Sequence, residues 1–349
     1  MRKMGLVADP VFLSHDTGPG HPERPERVGT ILSVLDGKGL IKAAVKIPLR
    51  KAERDEILKV HSASLYSRLA ATAGQPRNWM DGDTPTSADS FDTALLAAGS
   101  TLNAVDAVMA GEVGTAFALV RPPGHHAERD QSMGFCLFNN VALAAHHLLD
   151  RHGLSRVLIL DWDLHHGNGT QHSFYQDPRV LYFSTHRYPY YPGTGFFDEV
   201  GEGPGRGFTV NVPLPPRCDD SVYDEIFVRM LAPVARAYKP EFILVSAGFD
   251  IHRADPLGGM MVSEEGFGRL AGRVLGLADE LCGGRMALAL EGGYDLKGLS
   301  LGVANVVEVC MEKQSPPTER LTPPREFEQL VEQSREYLAP YWPGIGSEA

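Results

Sequence analysis

Cysteine is scarce in this chain: four residues, Cys136, Cys218, Cys282 and Cys310, among 349. No two stand in a CxxC spacing, so a cysteine zinc ribbon and a dithiol redox motif are excluded, and four scattered thiols suggest no disulfide framework. They read as reduced thiols of a cytoplasmic protein. Positive charge is also in deficit, with 33 Lys and Arg against 44 Asp and Glu, a net charge of −11. That balance disfavours nucleic acid as a partner and tolerates a cationic substrate. No apolar run is long enough to cross a bilayer, and the N-terminus lacks the apolar stretch of a signal peptide, so no membrane partner is expected. There is no HExxH helix, no phosphate-binding P-loop and no internal repeat. Gly298–Gly302 fits GxSxG. Its Ser300 falls well past the preceding strand end, whereas a nucleophile elbow needs the serine at the strand-to-helix turn, so the match is read as coincidence.

What the chain does contain is a series of short apolar runs: Gly5–Ala8, Ala43–Ile47, Thr115–Val120, Val157–Leu160, Val180–Phe183, Phe208–Val212, Phe242–Val245 and Met286–Leu290. Between several of them lie segments of helical periodicity, Phe91–Ala110, Asn139–Arg151, Val222–Tyr238 and Glu265–Cys282. Strands apolar on both faces, alternating with helices, predict an α/β fold with a central parallel sheet of about eight strands covered by helices on both sides. In such folds the site lies beyond the carboxyl ends of the strands. Polar clusters follow Val120, Leu160, Val245 and Leu290. Gly193–Gly207 is glycine-rich and reads as a loop over that face. A single catalytic domain is expected over residues 1–312. Residues 313–349 are expected to be an extension broken by Pro316–Pro317 and Pro323–Pro324, with an amphipathic helix Glu326–Leu338 packed on the body.

The most informative segment is Asp161–Gly167, directly after the run ending at Leu160. Side chains two apart on a strand share a face, so Asp163 and His165 are predicted to converge on one divalent ion. Asp250, after another strand, can supply a third ligand. Two carboxylates and one imidazole leave a coordination position open, the pattern of a catalytic rather than a structural metal. His125 and His126 follow the rigid Arg121–Gly124 turn, and one of them can act as general base and acid. The other can be held by a buried carboxylate such as Asp161. Tyr294, after Gly292 and Gly293, can donate to an oxyanion. Gly134–Cys136 and Tyr190–Gly193 add aromatics near the same face, and paired rings can wall a narrow channel. His146 and His147, inside a helical segment, read as ordinary satisfied polar residues.

Taken together, His21–Arg27, Arg121–His126, Asp161–Gly167, Ser246–Asp250, Asp255–Gly258 and Glu291–Tyr294 resemble, in order, the motifs of the histone deacetylase superfamily, with details similar to its class II and bacterial branch. The resemblance spans Asp9 to about Val307. It implies the single-domain arginase/deacetylase fold and hydrolysis of an acetylated amine. It further implies Zn2+, or Fe2+ in its place, on Asp163, His165 and Asp250. His126 would be general base and acid, His125 with Asp161 its electrostatic partner, and Asn168 the support of His126. Tyr294 would hold the oxyanion. Gly134, Phe135, Tyr191, Leu257 and Gly292 would contact substrate, with Asp83 at the rim. A structural K+ would involve Asp161, Asp163, His165 and Ser184. The implied partner is an acetylated lysine side chain of a peptide or protein, or a small acetylated amine, and a homo-oligomer is compatible. Polyamine deacetylases of the branch carry an acidic gatekeeper where this chain has Leu257, which favours acyl-lysine over acetylpolyamine. A catalytically silent acyl-lysine binder and a two-metal arginase-like hydrolase remain as alternatives.

Overall fold

The computed structural model describes residues 2–312 and 319–347, so Pro316–Pro317 lies outside the described residues. All eight apolar runs become strands of one sheet: β1 (Met4–Val7), β2 (Val45–Lys46), β5 (Thr115–Ala118), β6 (Val157–Asp161), β7 (Val180–Arg187), β8 (Thr209–Leu214), β9 (Phe242–Ala247) and β10 (Met286–Leu290). A two-stranded antiparallel hairpin, β3 (Asn78–Trp79) and β4 (Pro85–Thr86), stands apart from it. The large sheet runs β2-β1-β5-β10-β9-β6-β7-β8, and every pairing is parallel. Every residue of β5, β6, β9 and β10 is buried, as the unbroken apolar pattern requires of strands covered on both faces.

Sheet order, more than chain order, decides which residues meet. The neighbours β5, β10, β9, β6 and β7 form a contiguous block. Their carboxyl ends therefore bring together segments that lie as far apart in sequence as Arg121 and Tyr294. Helices supply the crossovers that parallel strands demand. Ser90–Met109 packs on Asn140–Asp150, and Glu264–Cys282 packs on Leu296–Cys310, which also carries Glu26–Gly37. Several of these helices start with a side-chain cap. Asn139 accepts from the Ala142 N–H at 2.9 Å, and Asp295 accepts from the Gly298 N–H at 2.7 Å.

Three expectations need correction. The helix expected over Val222–Tyr238 is interrupted. It is α-helical over Asp220–Ile226 and Ala232–Tyr238, with a π turn at Phe227–Leu231 between them. Pro233 lacks the N–H that would close the α-helical bond back to Arg229, so the ladder must widen there. The glycine-rich Gly193–Gly207 segment does not stay over the site. It leaves the carboxyl end of β7 and descends to the start of β8, where the Gly207 carbonyl accepts from the Trp342 indole N–H at 2.7 Å. Ala43 closes a short helix, Leu40–Ala43, and so falls outside β2.

The helix Glu326–Leu338 buries Phe327, Leu330, Val331 and Leu338. Its Tyr337 ring stacks on Phe197, centroids 5.9 Å apart, and meets Phe196 edge-on at 6.1 Å. Ser300 lies inside the helix Leu296–Cys310, with its hydroxyl on the Lys297 carbonyl, so GxSxG is no nucleophile elbow here. All four cysteines are free and buried.

Candidate active site

β6 ends at Asp161, and Asp163 and His165 lie beyond it in a bend. The strand-alternation argument for their convergence is therefore wrong, although the convergence is real. What turns them together is a local backbone-to-side-chain bond: the His165 N–H donates to Asp163 Oδ1 at 2.9 Å. Asp250, three residues past β9, joins from the adjacent strand. His165 Nδ1 lies 3.2 Å from Asp163 Oδ1 and 3.1 Å from Asp250 Oδ2. The three donor atoms lie within 4.8 Å of one another, and all three residues are buried.

The surroundings fit a divalent cation. Each carboxylate has its other oxygen tied by backbone: Gly292 N–H to Asp163 Oδ2 at 2.8 Å, Leu164 N–H to Asp250 Oδ1 at 2.9 Å. Burial, and next the Asp163 charge, lift the Asp250 carboxyl to about 7. Two buried like charges in contact call for a proton or a cation between them. Gly248 and Gly292 form a cradle, because a Cβ on the first would come 2.2 Å from Asp163 Oδ2 and one on the second 2.3 Å from Asp250 Oδ2. One imidazole and two carboxylates suit zinc or a similar ion, with a position left open. Gly292, expected to contact substrate, thus lies against the carboxylates and does not line the cavity above them.

His125 and His126 come from the turn after β5, their rings 4.0 Å apart. They are held differently. His125 Nδ1 donates to Asp161 Oδ2 at 3.0 Å, and Tyr182 also donates to that oxygen, at 3.1 Å. Burial opposes charge on His125, but Asp163 and then Asp161 outweigh it and push the imidazole up to about 10. His126 Nδ1 meets Asn168 Oδ1 at 2.8 Å, while Asn168 Nδ2 donates to Glu128 Oε1 at 2.6 Å. That fixes the amide orientation, so His126 carries its proton on Nδ1 and leaves Nε2 with a lone pair. Burial, then the neighbouring His125 and His165, hold His126 well below its ordinary pKa.

Tyr294 follows the Gly292–Gly293 turn. Burial, then Asp250, keep its phenol far above the usual range, hence protonated and able to donate. Two groups place it. Asp255 Oδ2 accepts from the Tyr294 N–H at 2.6 Å and from the Asp295 N–H at 3.2 Å. The fully buried Arg27 reaches the Gly293 carbonyl at 2.6 Å and the Glu291 carbonyl at 2.5 Å, with its guanidinium 5.1 Å from the Tyr294 ring centre. Arg27 is balanced by Glu23 at 2.9 Å, which also takes two bonds from the buried Arg121.

Above these groups is a cavity of about 180 Å³ lined by Asp83, His126, Gly134, Phe135, His165, Tyr190, Tyr191, Leu257 and Tyr294. Gly134, Phe135, Tyr191, Leu257 and Asp83 are therefore brought together with His126 and Tyr294. Phe135 stands at φ 68°, its N–H on Thr84 Oγ1 at 3.0 Å. Tyr191 meets the His126 ring edge-on at 5.1 Å. Asp83 sits at the end of the β3–β4 hairpin loop, its carboxyl raised by burial and then by Asp81. Ser184 lies opposite Asp161 in the β6–β7 register, and its hydroxyl pairs with His186 Nδ1 at 2.9 Å. A larger hollow of about 320 Å³ elsewhere on the surface touches none of this chemistry.

Sequence reading placed Tyr190 among the aromatics near this face without a contact of its own; its ring stacks on His165 at 5.7 Å and lies under the Arg187 guanidinium at 4.1 Å. It also gave no role to Glu23, Arg27, Arg121 or Asp255. All four stood inside motifs already singled out, but buried ion pairing across the sheet leaves no local pattern to read.

Comparison with known proteins agrees with this geometry. A family model described as the histone deacetylase domain matches residues 21–310. Histone deacetylase 5 of Arabidopsis thaliana is 39% identical over 99% of this chain, which spans only 55% of that relative's length. A probable deacetylase of Archaeoglobus fulgidus is 41% identical over 84% of this chain and 82% of its own. The human Polyamine deacetylase HDAC10 is 39% identical, covering 93% of this chain and 50% of its own. The crystal structure of the HDA15 HD domain superposes with a TM-score of 0.92 at 36% identity, covering 98% of this chain and 96% of the other. Among the described residues no helix is long and apolar enough to cross a membrane. The resemblance carried by the sequence motifs is borne out, and the chain belongs to the histone deacetylase family, hydrolases that act on amides.

Proposed function

We propose that this chain is a zinc-dependent deacetylase that cleaves the amide of an acetylated lysine side chain and releases acetate. The observation that carries the reading is the meeting of Asp163, His165 and Asp250 with His126 and Tyr294 at the floor of one narrow cavity. Asp163, His165 and Asp250 would hold the cation, zinc or iron(II), which when bound polarises the amide carbonyl and acidifies a water molecule.

The chain's own groups account for the rest. His126 Nε2, freed by the Nδ1 bond to Asn168, takes a proton from the attacking water and returns it to the leaving amine. His125, bound to Asp161, sets a positive charge beside the developing oxyanion. The Tyr294 hydroxyl donates to that oxyanion. Gly134, Phe135, Tyr190, Tyr191 and Leu257 exclude water along a linear aliphatic chain, and Asp83 at the mouth accepts from the substrate backbone. A K+ held near Asp161, Asp163, His165 and Ser184 rests on the family resemblance, supported by the Asp161–Ser184 register.

The test is acetate release by metal-reconstituted protein from an acetyl-lysine peptide and from acetylspermidine. The peptide is expected to be the better substrate, with turnover abolished by a chelator and restored by zinc. Preference for acetylspermidine would assign the chain to polyamines. Absence of release from either substrate would leave a silent binder.

A further inference from the structure

We propose that Asp106, His147 and His152 form a second transition-metal site, for Zn2+ or an ion of its class, remote from the catalytic cavity. Asp106 lies near the end of the helix Ser90–Met109, His147 near the end of Asn140–Asp150, and His152 in the turn after it. β5 and β6 start just after these segments, so the cluster sits at the amino-terminal end of the sheet, opposite the cavity. His147 Nε2 and His152 Nε2 each lie 2.7 Å from the same oxygen, Asp106 Oδ1. All three donor atoms fall within 4.8 Å of one another.

Four further observations favour an ion at this point of convergence. The two imidazoles approach from different directions, with planes 73° apart and centroids at 5.4 Å, as ligands spread round a tetrahedral ion do and stacked rings do not. Both helices end here, and helix C-termini carry partial negative charge that attracts a cation. The nearby guanidinium of Arg50 is neutralised by a two-pronged pair with Glu56, both bonds 2.7 Å. The cluster is accessible, with side-chain exposures of 32% for Asp106 and 21% for His152, leaving room for water ligands and an entry path. Two nitrogens and one oxygen select a borderline ion such as zinc over calcium or magnesium. Ligands about 2.0–2.2 Å from such an ion stand about 3.4 Å apart, so the two imidazoles, now 2.7 Å from Asp106 Oδ1, have to draw back by about 0.7 Å to admit it. Each imidazole would bind through the Nε2 that now meets Asp106. The pairing of His147 expected of a satisfied helical histidine and its role as ligand thus use the same nitrogen.

The experiment is zinc titration of the holoenzyme against a chromophoric chelator, with metal content read per chain after equilibrium dialysis. Wild-type protein should hold about two ions and His152→Ala about one, while His152→Ala keeps full deacetylase activity. Asp250→Asn should lose the other ion and keep this one, which separates the site from a two-metal catalytic centre. Asp106→Asn provides a second variant at the cluster, expected to behave as His152→Ala. Equal metal content in wild type and His152→Ala, or weak uptake that never saturates in either, would overturn the proposal.

Discussion

One carboxylate joins Tyr294 to the cavity wall: Asp255 accepts the Tyr294 N–H through Oδ2 at 2.6 Å and the Leu257 N–H through Oδ1 at 2.9 Å. The residue proposed to donate to the carbonyl and the residue that lines the cavity's side are thus located by a single buried group. Asp255→Asn removes one acceptor while keeping size. A misplacement of about 1 Å at a donor can cost about a hundredfold in rate. We expect kcat to fall at least tenfold, with KM changed less than about threefold. Steady-state kinetics that show KM alone affected would disprove a link to Tyr294.

Removing the phenol itself should be more severe. Tyr294→Phe is expected to lower kcat by about a hundredfold or more, the usual cost of one oxyanion donor. Retained affinity for a hydroxamate inhibitor would show that the fold and cation site survive, so the loss can be assigned to the hydroxyl.

Leu257 gives an apolar wall to a cavity whose mouth carries Asp83. A carboxylate at that wall would favour a second cationic amine along the chain of the substrate. Leu257→Glu is expected to raise kcat/KM for acetylspermidine relative to an acetyl-lysine peptide by at least tenfold. A ratio that stays constant would remove Leu257 from substrate selection.

Stability should depend on pH through buried neutral histidines. His61 donates through Nδ1 to the Glu128 carbonyl at 2.8 Å and accepts the Asn139 N–H on Nε2 at 2.9 Å. Protonation would break the second bond. Burial is the largest cause holding His15, His61 and His186 down to about 4. Their unfolded forms titrate near 6.5, so the unfolded chain binds protons first as pH falls. Their contribution is complete above pH 6.5 and lost progressively down to about 4. Tm should therefore decline from pH 7 to pH 4.5, and His61→Gln should flatten that decline. Calorimetry across this range decides; a Tm independent of pH there would contradict it.

Arg27 and Arg121 share Glu23 in full burial. Breaking such a set by removing one member leaves charge without a partner, at about 3–5 kcal/mol. Arg27→Met should lose stability on that scale in urea unfolding and lower kcat as well, since the Glu291–Tyr294 turn loses its carbonyl anchors. A stable variant with wild-type turnover would refute both parts.

Much of this architecture is readable from residue order. Eight apolar runs gave eight strands because strands covered on both faces tolerate no polar interruption. The residues proposed as ligands and base were legible because short motifs follow those strands. Three things were not. The bend that turns Asp163 and His165 together lies beyond the strand and depends on one bond from the His165 N–H to the Asp163 carboxylate, not on pleat. Tyr190 reads only as one of several aromatics near the site face, and its enclosure by Arg187 and His165 has no local pattern. Arg27, Glu23 and Asp255 act across the sheet, and nothing in a linear spacing says which buried charge meets which carbonyl.

The rings of Phe196, Phe197 and Tyr337 tie the last helix to the stretch that carries Tyr191, and Trp342 clasps the far end of that stretch at Gly207. The tail therefore works as a buttress for the segment that brings Tyr191 to the cavity, the slot proposed for substrate. Pruning it would be felt first in how long an acyl group the proposed slot tolerates, well before the floor formed by Asp163, His165 and Asp250 gave way.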